Sequence, residues 1–374
     1  MKVAIVVPGG VDRSGTERVI PALLSLIARI AAVHEVHVFA LSQEPRPGRW
    51  QLRGATVHNA GMPAATIRTV IAILREHRRG AFDVIHAFWV VPAGVAAATA
   101  ARLIRRPLRI HVAGGELAAL PGIRYGGSRT ARGRALVSAV LRSADGVTAA
   151  SAPICGVLAR WGIRAERLPL GVALDEWPPA PPVPRDPALP AKLVHVAHIN
   201  AVKDQTTLIR AAAILARDGF DFTLDLVGGD TTGGEIHRLA AREGVAGRIR
   251  FHGFLRHDAT RDVLAGAHLF LLSSLHEAGP VAVLEAAVAG VPTVGTRVGH
   301  IAEWAPDAAL AVPVADAEAL AAAAASLLRD DDRRLALAAE AQRRALAENA
   351  DHTAARTLAW YAMAGSSRRV AAAL

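Results

Sequence analysis

Short, uninterrupted apolar runs alternate along the chain with longer stretches of helical period. In the first half, residues 3–7, 36–41, 57–60, 83–86, 108–112 and 146–149 read as strands. Runs apolar on both faces belong to parallel sheets that helices cover on each side. A helix is expected from Gly15-Thr16-Glu17-Arg18 to about Ile30, an amphipathic one with a basic outer face over 67–77, and another over 136–143. The alternation restarts with strands at 192–197, 223–227 and 249–252 and helices at 206–217, 235–243 and 259–265. Late helices cover about 317–328, 333–348 and 353–364. Between the halves, residues 178–190 hold seven prolines in thirteen positions, which suits neither helix nor central strand and reads as a stiff linker. The pattern predicts an α/β chain of two doubly wound parallel-sheet, Rossmann-like domains, at 1–177 and 191–352, with ligands at the carboxyl ends of the strands.

One stretch stands out. The apolar run 267–272 and the run 291–296 flank His276-Glu277-Ala278-Gly279-Pro280-Val281, which leads into a helix ending before Gly290. Pro280 suits the first helical position and Gly290 the left-handed position past the end. The N–H groups of Gly279, Val281 and Ala282 then face the sheet's carboxyl edge, where a helix N-terminus favours an anion. Glu277 precedes the helix, and Glu285 lies roughly 7.5 Å along its axis. Two carboxylates beside a phosphate site repel the phosphate unless each accepts hydroxyl hydrogen bonds. A sugar nucleotide therefore fits better than a bare nucleotide.

Composition narrows the partners. With 374 residues and 52% hydrophobic content the chain can bury two cores. A single cysteine, Cys155, expected to be buried, excludes a disulfide framework and fits a reducing compartment. No secretory leader and no apolar stretch of membrane-spanning length is legible, so a cytoplasmic location is expected. The net charge of +10 is uneven: residues 1–180 carry 23 Lys and Arg against 11 Asp and Glu, or +12, and the rest carries −2. An anionic or lipid-linked acceptor and peripheral contact with anionic membrane are one reading, ordinary solvation of helices by arginine the other. The arginines at 102, 105, 106, 109, 124, 129, 132 and 134 are the expected contact. Nucleic acid binding is excluded by the lack of aromatic interleaving or any recognisable module.

Glu277 and Glu285, spaced as Glu-x7-Glu across a loop and helix, resemble the donor-site signature of family 4 retaining glycosyltransferases. The resemblance extends along nearly the whole chain. Ser14-Gly15-Thr16-Glu17-Arg18 resembles the loop that meets donor phosphates and acceptor, and Asp83 to Trp89 the acceptor-domain strand facing the active-site cleft. Phe251-His252-Gly253-Phe254 resembles the nucleobase loop, and Gly295 to Glu303 the segment closing the last sheet strand. The paired glutamates are individually specific; the glycine loops count by their order.

The resemblance implies the glycosyltransferase B fold, with a last helix (about 353–366, carrying Trp360 and Tyr361) crossing back to the first domain. It implies a nucleotide-diphosphate sugar as donor, with no cofactor and no metal. Glu285 would take the ribose, Glu277 the sugar, and Lys203 with the helix tip the diphosphate. His198, Asn200, Gly229, Gly253, Phe254, His276, Ala278, Gly279, Pro280 and Val281 complete the donor residues, and Gly15, Thr16, Glu17, Trp89, Gly114 and Gly115 the acceptor and phosphate loops. Two positions depart from the family. His198 stands where an arginine is usual, leaving Lys203 more of the leaving-group charge. Ala113 stands where a histidine is usual, so His111, two residues back, and Glu116 are alternative candidates for the acceptor hydroxyl. The retaining chemistry of the family needs no enzyme nucleophile, because the departing phosphate takes the acceptor's proton.

Other constellations are weak. Asp330-Asp331-Asp332 reads as a helix cap, the fifteen histidines show no metal-ligand spacing, and no Gly-x-Gly-x-x-Gly follows the first strand. The expectation is a retaining, metal-independent glycosyltransferase. A nucleotide-sugar epimerase of the same fold and a non-catalytic sugar-nucleotide-binding protein are the alternatives.

Overall fold

The apolar runs do form parallel sheets. A computed structural model describes the backbone of residues 1–371 and side chains as far as Met363, and the chain divides into two compact units. The first comprises Met1–Leu170 with the segment from Ala350 onward, and the second Gly171–Asn349.

In the first unit the strands are β1 (Lys2–Val7), β2 (Glu35–Ala40), β3 (Gly48–Leu52), β4 (Ala55–Asn59), β5 (Val84–Phe88), β6 (Leu108–Val112), β7 (Gly146–Ala149) and β8 (Glu166–Arg167). They lie in the order β3-β4-β2-β1-β5-β6-β7-β8, all parallel except the β3–β4 hairpin. Its helices are α1 (Pro21–Ala31), α2 (Ala65–Arg79), α3 (Val95–Ile104), α4 (Ala131–Arg142) and α5 (Ala152–Arg160). The expected helix start at Gly15 is wrong by a turn and more. Gly15 and Arg18 hold φ of 69° and 48°, left-handed values that no α-helix admits, and Pro21 opens α1 instead. The β3 strand and α3 were not expected. β3 follows a Pro-Arg-Pro-Gly segment that reads as loop, and α3 is so rich in alanine that its period is faint. Cys155 is half-buried, not enclosed.

The second unit's strands are β9 (Ala191–Val196), β10 (Phe222–Val227), β11 (Ile249–Gly253), β12 (Leu269–Leu272), β13 (Thr293–Thr296) and β14 (Ala309–Val312), in the order β11-β10-β9-β12-β13-β14, all parallel. Helices α6 (Gln205–Arg217), α7 (Glu235–Arg242), α8 (His257–Leu264), α9 (Val281–Val288), α10 (Gly299–Trp304), α11 (Ala317–Arg329) and α12 (Asp331–Ala347) cover both faces. Leu193, Leu224, Leu226 and Leu269 are fully enclosed, each contributing about 1.5–3 kcal/mol. α10 and β14 were not expected as separate elements.

The segment at 178–190 is not a free linker. The first unit ends at Leu170, and the proline-rich chain lies on the second unit. There the fully buried Arg334 donates to the carbonyl of Val183 at 2.7 Å and pairs with Asp331 at 2.7 Å, while Arg185 donates to the Leu328 carbonyl at 3.1 Å. Proline leaves its carbonyls as the strap's main hydrogen-bonding groups; Arg334 takes that of Val183, and Gln342 takes that of Ala180 at 2.6 Å. Asp330 caps α12 by accepting from the Arg333 amide.

The last helix, α13 (Ala350–Ala371), belongs to the first unit. Tyr361 Oη lies 2.6 Å from His86 Nδ1, and Arg109 donates to the Trp360 carbonyl at 3.0 Å with its guanidinium 4.6 Å from the Trp360 ring. The arginines expected to form one patch are thereby split. Arg102, Arg105 and Arg106 precede β6 at the amino edge of the sheet, and Arg109, buried, is the strand's second residue. Arg124, Arg129, Arg132 and Arg134 follow its carboxyl end and are exposed.

Burial holds His111, His195 and His268 at about 4, and half-buried His58 sits there too, with desolvation again the largest cause. All four are neutral in the fold near pH 7. Unfolded, they titrate near 6.5, so between there and 4 the unfolded chain binds more protons. Their stabilisation is complete above about pH 6.5 and is lost as the pH falls, by about 1 kcal/mol per enclosed histidine at pH 5.5. Glu116 and Asp204, both raised by burial, oppose this. Urea denaturation should therefore show a lower midpoint at pH 5.5 than at 7.5; an equal or higher one would contradict the assignment.

Candidate functional site

In the second unit, the loops after β9, β10, β12 and β13 leave the carboxyl edge together, as parallel strands require. Lys203 Nζ meets Glu277 Oε1 at 2.5 Å, and Ser274 Oγ donates to the same oxygen at 2.6 Å. The backbones of the two loops are stitched as well: the Leu275 amide donates to Val202 O at 2.8 Å and Ser273 Oγ to Lys203 O at 2.8 Å. Beneath them His195, fully buried, donates from Nδ1 to Leu271 O (2.8 Å) and accepts at Nε2 from Gln205 Nε2 (3.2 Å), and Gln205 also donates to His198 O. Asn200 turns the loop by accepting from the Lys203 amide at 3.2 Å. His198 is exposed, and Gly229 lies against its ring, where an added Cβ would come within 3.3 Å of Nδ1.

Pro280 is the N-cap of α9, one position earlier than expected, with ψ of 112°, and Val281 is the first helical residue. Gly290 has φ of 74°, the left-handed position past the end. Glu285 sits in the second turn of a helix otherwise made of valine, leucine and alanine, and is 8% exposed. His257 Nε2, at the start of α8, reaches its Oε1 at 2.7 Å. Gly253 has φ of 66° and Phe254 beside it is 55% exposed, at the carboxyl end of β11. His276 and Ala278 lie in the same loop as Glu277, Ala278 buried.

The first unit brings together a second group. Trp89, with φ of 68°, follows β5; its amide donates to His111 O and its ring abuts Gly114, where a Cβ would lie 2.7 Å from Nε1. A Cβ on Gly115 would strike the Tyr125 hydroxyl at 2.4 Å, so both glycines are demanded by close approach. Glu116 is buried, and its carboxylate accepts from the amides of Val90 (3.2 Å) and Gly114 (2.8 Å). It thus organises the loop from inside instead of facing a substrate hydroxyl. His111 is likewise enclosed, 1% exposed, with Nδ1 2.9 Å from Thr148 Oγ1. Gly15, Thr16 and Glu17 form the loop before α1, held by buried Asp12, which pairs with Arg18 and accepts from the Ser14 amide at 3.0 Å.

The sequence offered no cue to His257, Ser274, Gln205 or Asp12. Each comes from a different element than the residue it supports, or precedes it in a loop without periodicity. The histidines are also less scattered than their spacing suggests. His37, His58 and Glu76 place ligand-type atoms within 4.8 Å of one another, but the two imidazoles share a 2.9 Å hydrogen bond and Lys2 Nζ sits 3.2 Å from Glu76. No ion is needed to satisfy them.

The chain matches two family models: "Glycosyl transferase 4-like domain" over residues 14–171 and "Glycosyl transferases group 1" over 190–330. It is 36% identical over 135 residues to the lipopolysaccharide core biosynthesis glycosyltransferase LpsE of Rhizobium meliloti, a stretch covering 35% of this chain and 38% of that protein. The chain therefore spans well under half the length of that curated relative. Among solved structures it resembles sucrose-phosphate synthase from Thermosynechococcus elongatus (TM-score 0.79, 20% identity, 100% of both chains). It also resembles Anabaena HepE in complex with UDP-glucose (TM-score 0.72, 19% identity, 96% of this chain and 99% of that one). At these identities the two structures establish the fold.

Gly299 opens α10 and packs against the loop that carries Glu277 and Pro280. Its φ is 49°, and an added Cβ would lie 2.7 Å from Pro280 Cδ and 3.2 Å from Glu277 Cβ. Gly299→Ala should cost about 1–3 kcal/mol in urea unfolding; an unchanged midpoint would show that the contact yields freely.

Proposed function

We propose that this chain, which belongs to the family 4 glycosyltransferases of the glycosyltransferase B fold, moves a sugar from a nucleotide-diphosphate donor to an acceptor hydroxyl with retention of configuration. The observation that carries the reading is the pairing of Glu277 with Lys203 at the carboxyl edge of the second unit, one helix-start away from buried Glu285. An ammonium beside the N-terminus of α9 is suited to a diphosphate, and the two carboxylates to sugar and ribose hydroxyls. HepE, of the same fold, is known with UDP-glucose; a nucleotide sugar is taken here as the donor on that likeness and on the site's own chemistry.

His198, exposed, stands where the family carries an arginine, so Lys203 carries more of the leaving-group charge. With Glu116 and His111 both turned into the protein, the acceptor's proton goes to the departing phosphate oxygen. Glu285→Ala should abolish binding of free nucleoside diphosphate in calorimetry. Glu277→Ala should keep it and lose the sugar's contribution. Transfer in EDTA should equal transfer without it. Parental affinity for nucleoside diphosphate in both variants, or EDTA loss restored by manganese, would overturn these assignments.

The acceptor side is the first unit, and its exposed arginines suggest an anionic or lipid-linked acceptor at a membrane surface. Among the described residues no helix is long and apolar enough to cross a membrane. The basic stretch at Arg124, Arg129, Arg132 and Arg134 runs into α4, where Leu136 is 44% exposed, and it follows the same strand end as Gly114 and Gly115. Arg129→Glu with Arg132→Glu should reduce sedimentation with anionic vesicles, and salt should do the same. Arg102→Glu with Arg105→Glu, at the opposite sheet edge, should have little effect. Equal, salt-insensitive partitioning to neutral and anionic vesicles would remove the membrane reading.

A further inference from the structure

We propose that His257 is a positioning residue for the donor's ribose: it fixes the carboxylate of Glu285 so that one oxygen is held by protein and the other is presented to the sugar hydroxyls. This rests on the assignment of Glu285 to the ribose.

Three contacts carry it. His257 Nε2 lies 2.7 Å from Glu285 Oε1, and a carboxylate can only accept, so that nitrogen carries the proton. The imidazole packs on Trp177, ring centroids 4.6 Å apart and planes tilted by 39°. Trp177, fully buried, donates its indole N–H to the backbone carbonyl of Glu285 at 3.2 Å. One tryptophan thus grips the main chain of Glu285 and the ring that grips its side chain. Glu285 needs such a hold, because its neighbours Val283, Leu284, Ala286, Ala287 and Val288 are all buried hydrocarbon. An isolated carboxylate there would be costly, and a free one would sample rotamers that miss the ligand. Among the described residues no donor occupies Oε2, so the imidazole fills one face of the acceptor and leaves the other.

The same pair read as a purely structural ion pair predicts something different. Loss of packing would weaken every ligand alike, whereas loss of positioning weakens only what touches the ribose hydroxyls. The experiment uses the full chain and whichever of UDP, GDP and ADP the parent binds most tightly, together with its 2′,3′-dideoxy counterpart. In the parent the ribonucleotide should bind better. In His257→Ala that preference should fall about tenfold, the scale of one hydrogen bond to a charged group, with dideoxy affinity nearly unchanged. His257→Gln, whose amide can still donate, should retain most of the preference, and His257→Asn, too short to reach, should lose it. If His257→Ala, or His257→Asn should the alanine variant fail to fold, keeps the full preference or weakens both ligands equally, the positioning role is overturned. If the parent binds none of the three nucleotides, the donor-site reading itself fails, which is a separate result.

Discussion

The contact between Lys203 and Glu277 sets the form of the second unit's carboxyl edge. Parallel strands deliver their loops to one edge, but nothing in sheet geometry makes neighbouring loops cohere. Here the ammonium and carboxylate meet at 2.5 Å, both largely withdrawn from water, with Ser274 on the same oxygen. A pair in such a place is weak evidence for stability, since desolvation offsets much of the attraction. Its use is to hold two opposite charges at a fixed spot. Backbone bonds from Leu275 to Val202 and from Ser273 to Lys203 O then lock the loops around it.

The two units manage buried polar groups in the same way. Enclosed imidazoles at His195 and His111 stay neutral and bond to a main-chain carbonyl or a threonine hydroxyl, and a buried carboxylate at Glu116 accepts backbone amides from two segments. Such groups specify loop shape. They do so by leaving the backbone few alternative ways of satisfying its donors.

The parallel sheets were legible because strands covered on both faces are apolar at every position, as in Leu269–Leu272. The Glu277–Glu285 helix was legible because proline and glycine mark its two ends. Elements without such contrast were not. α3 is alanine-rich, β3 lies behind prolines, and α10 is only six residues long. The strap at 178–190 shows a different limit: composition says that proline forbids helix, but not which surface the chain will lie on. That depends on Arg334, some 150 residues later, pointing into Val183 O.

Site residues divide along the same line. Glu277, Glu285 and Lys203 stand in local sequence contexts that state their chemistry. Their supports do not, because support is a relation between distant positions. His257 opens α8 and serves Glu285 in the next helix, α9, and Trp177 lies far earlier in the chain. His111 and Glu116 illustrate the converse. Each has the right side chain near the right strand end, yet the first is enclosed between Phe88 and Thr148 and the second is turned onto its own loop's amides. Proximity in sequence to a strand's carboxyl end therefore selects candidates for chemistry, while the direction in which each side chain is already satisfied decides among them. By that criterion Lys203, Glu277 and Glu285, whose partners stand at the carboxyl edge itself, are the residues we propose to hold the ligand.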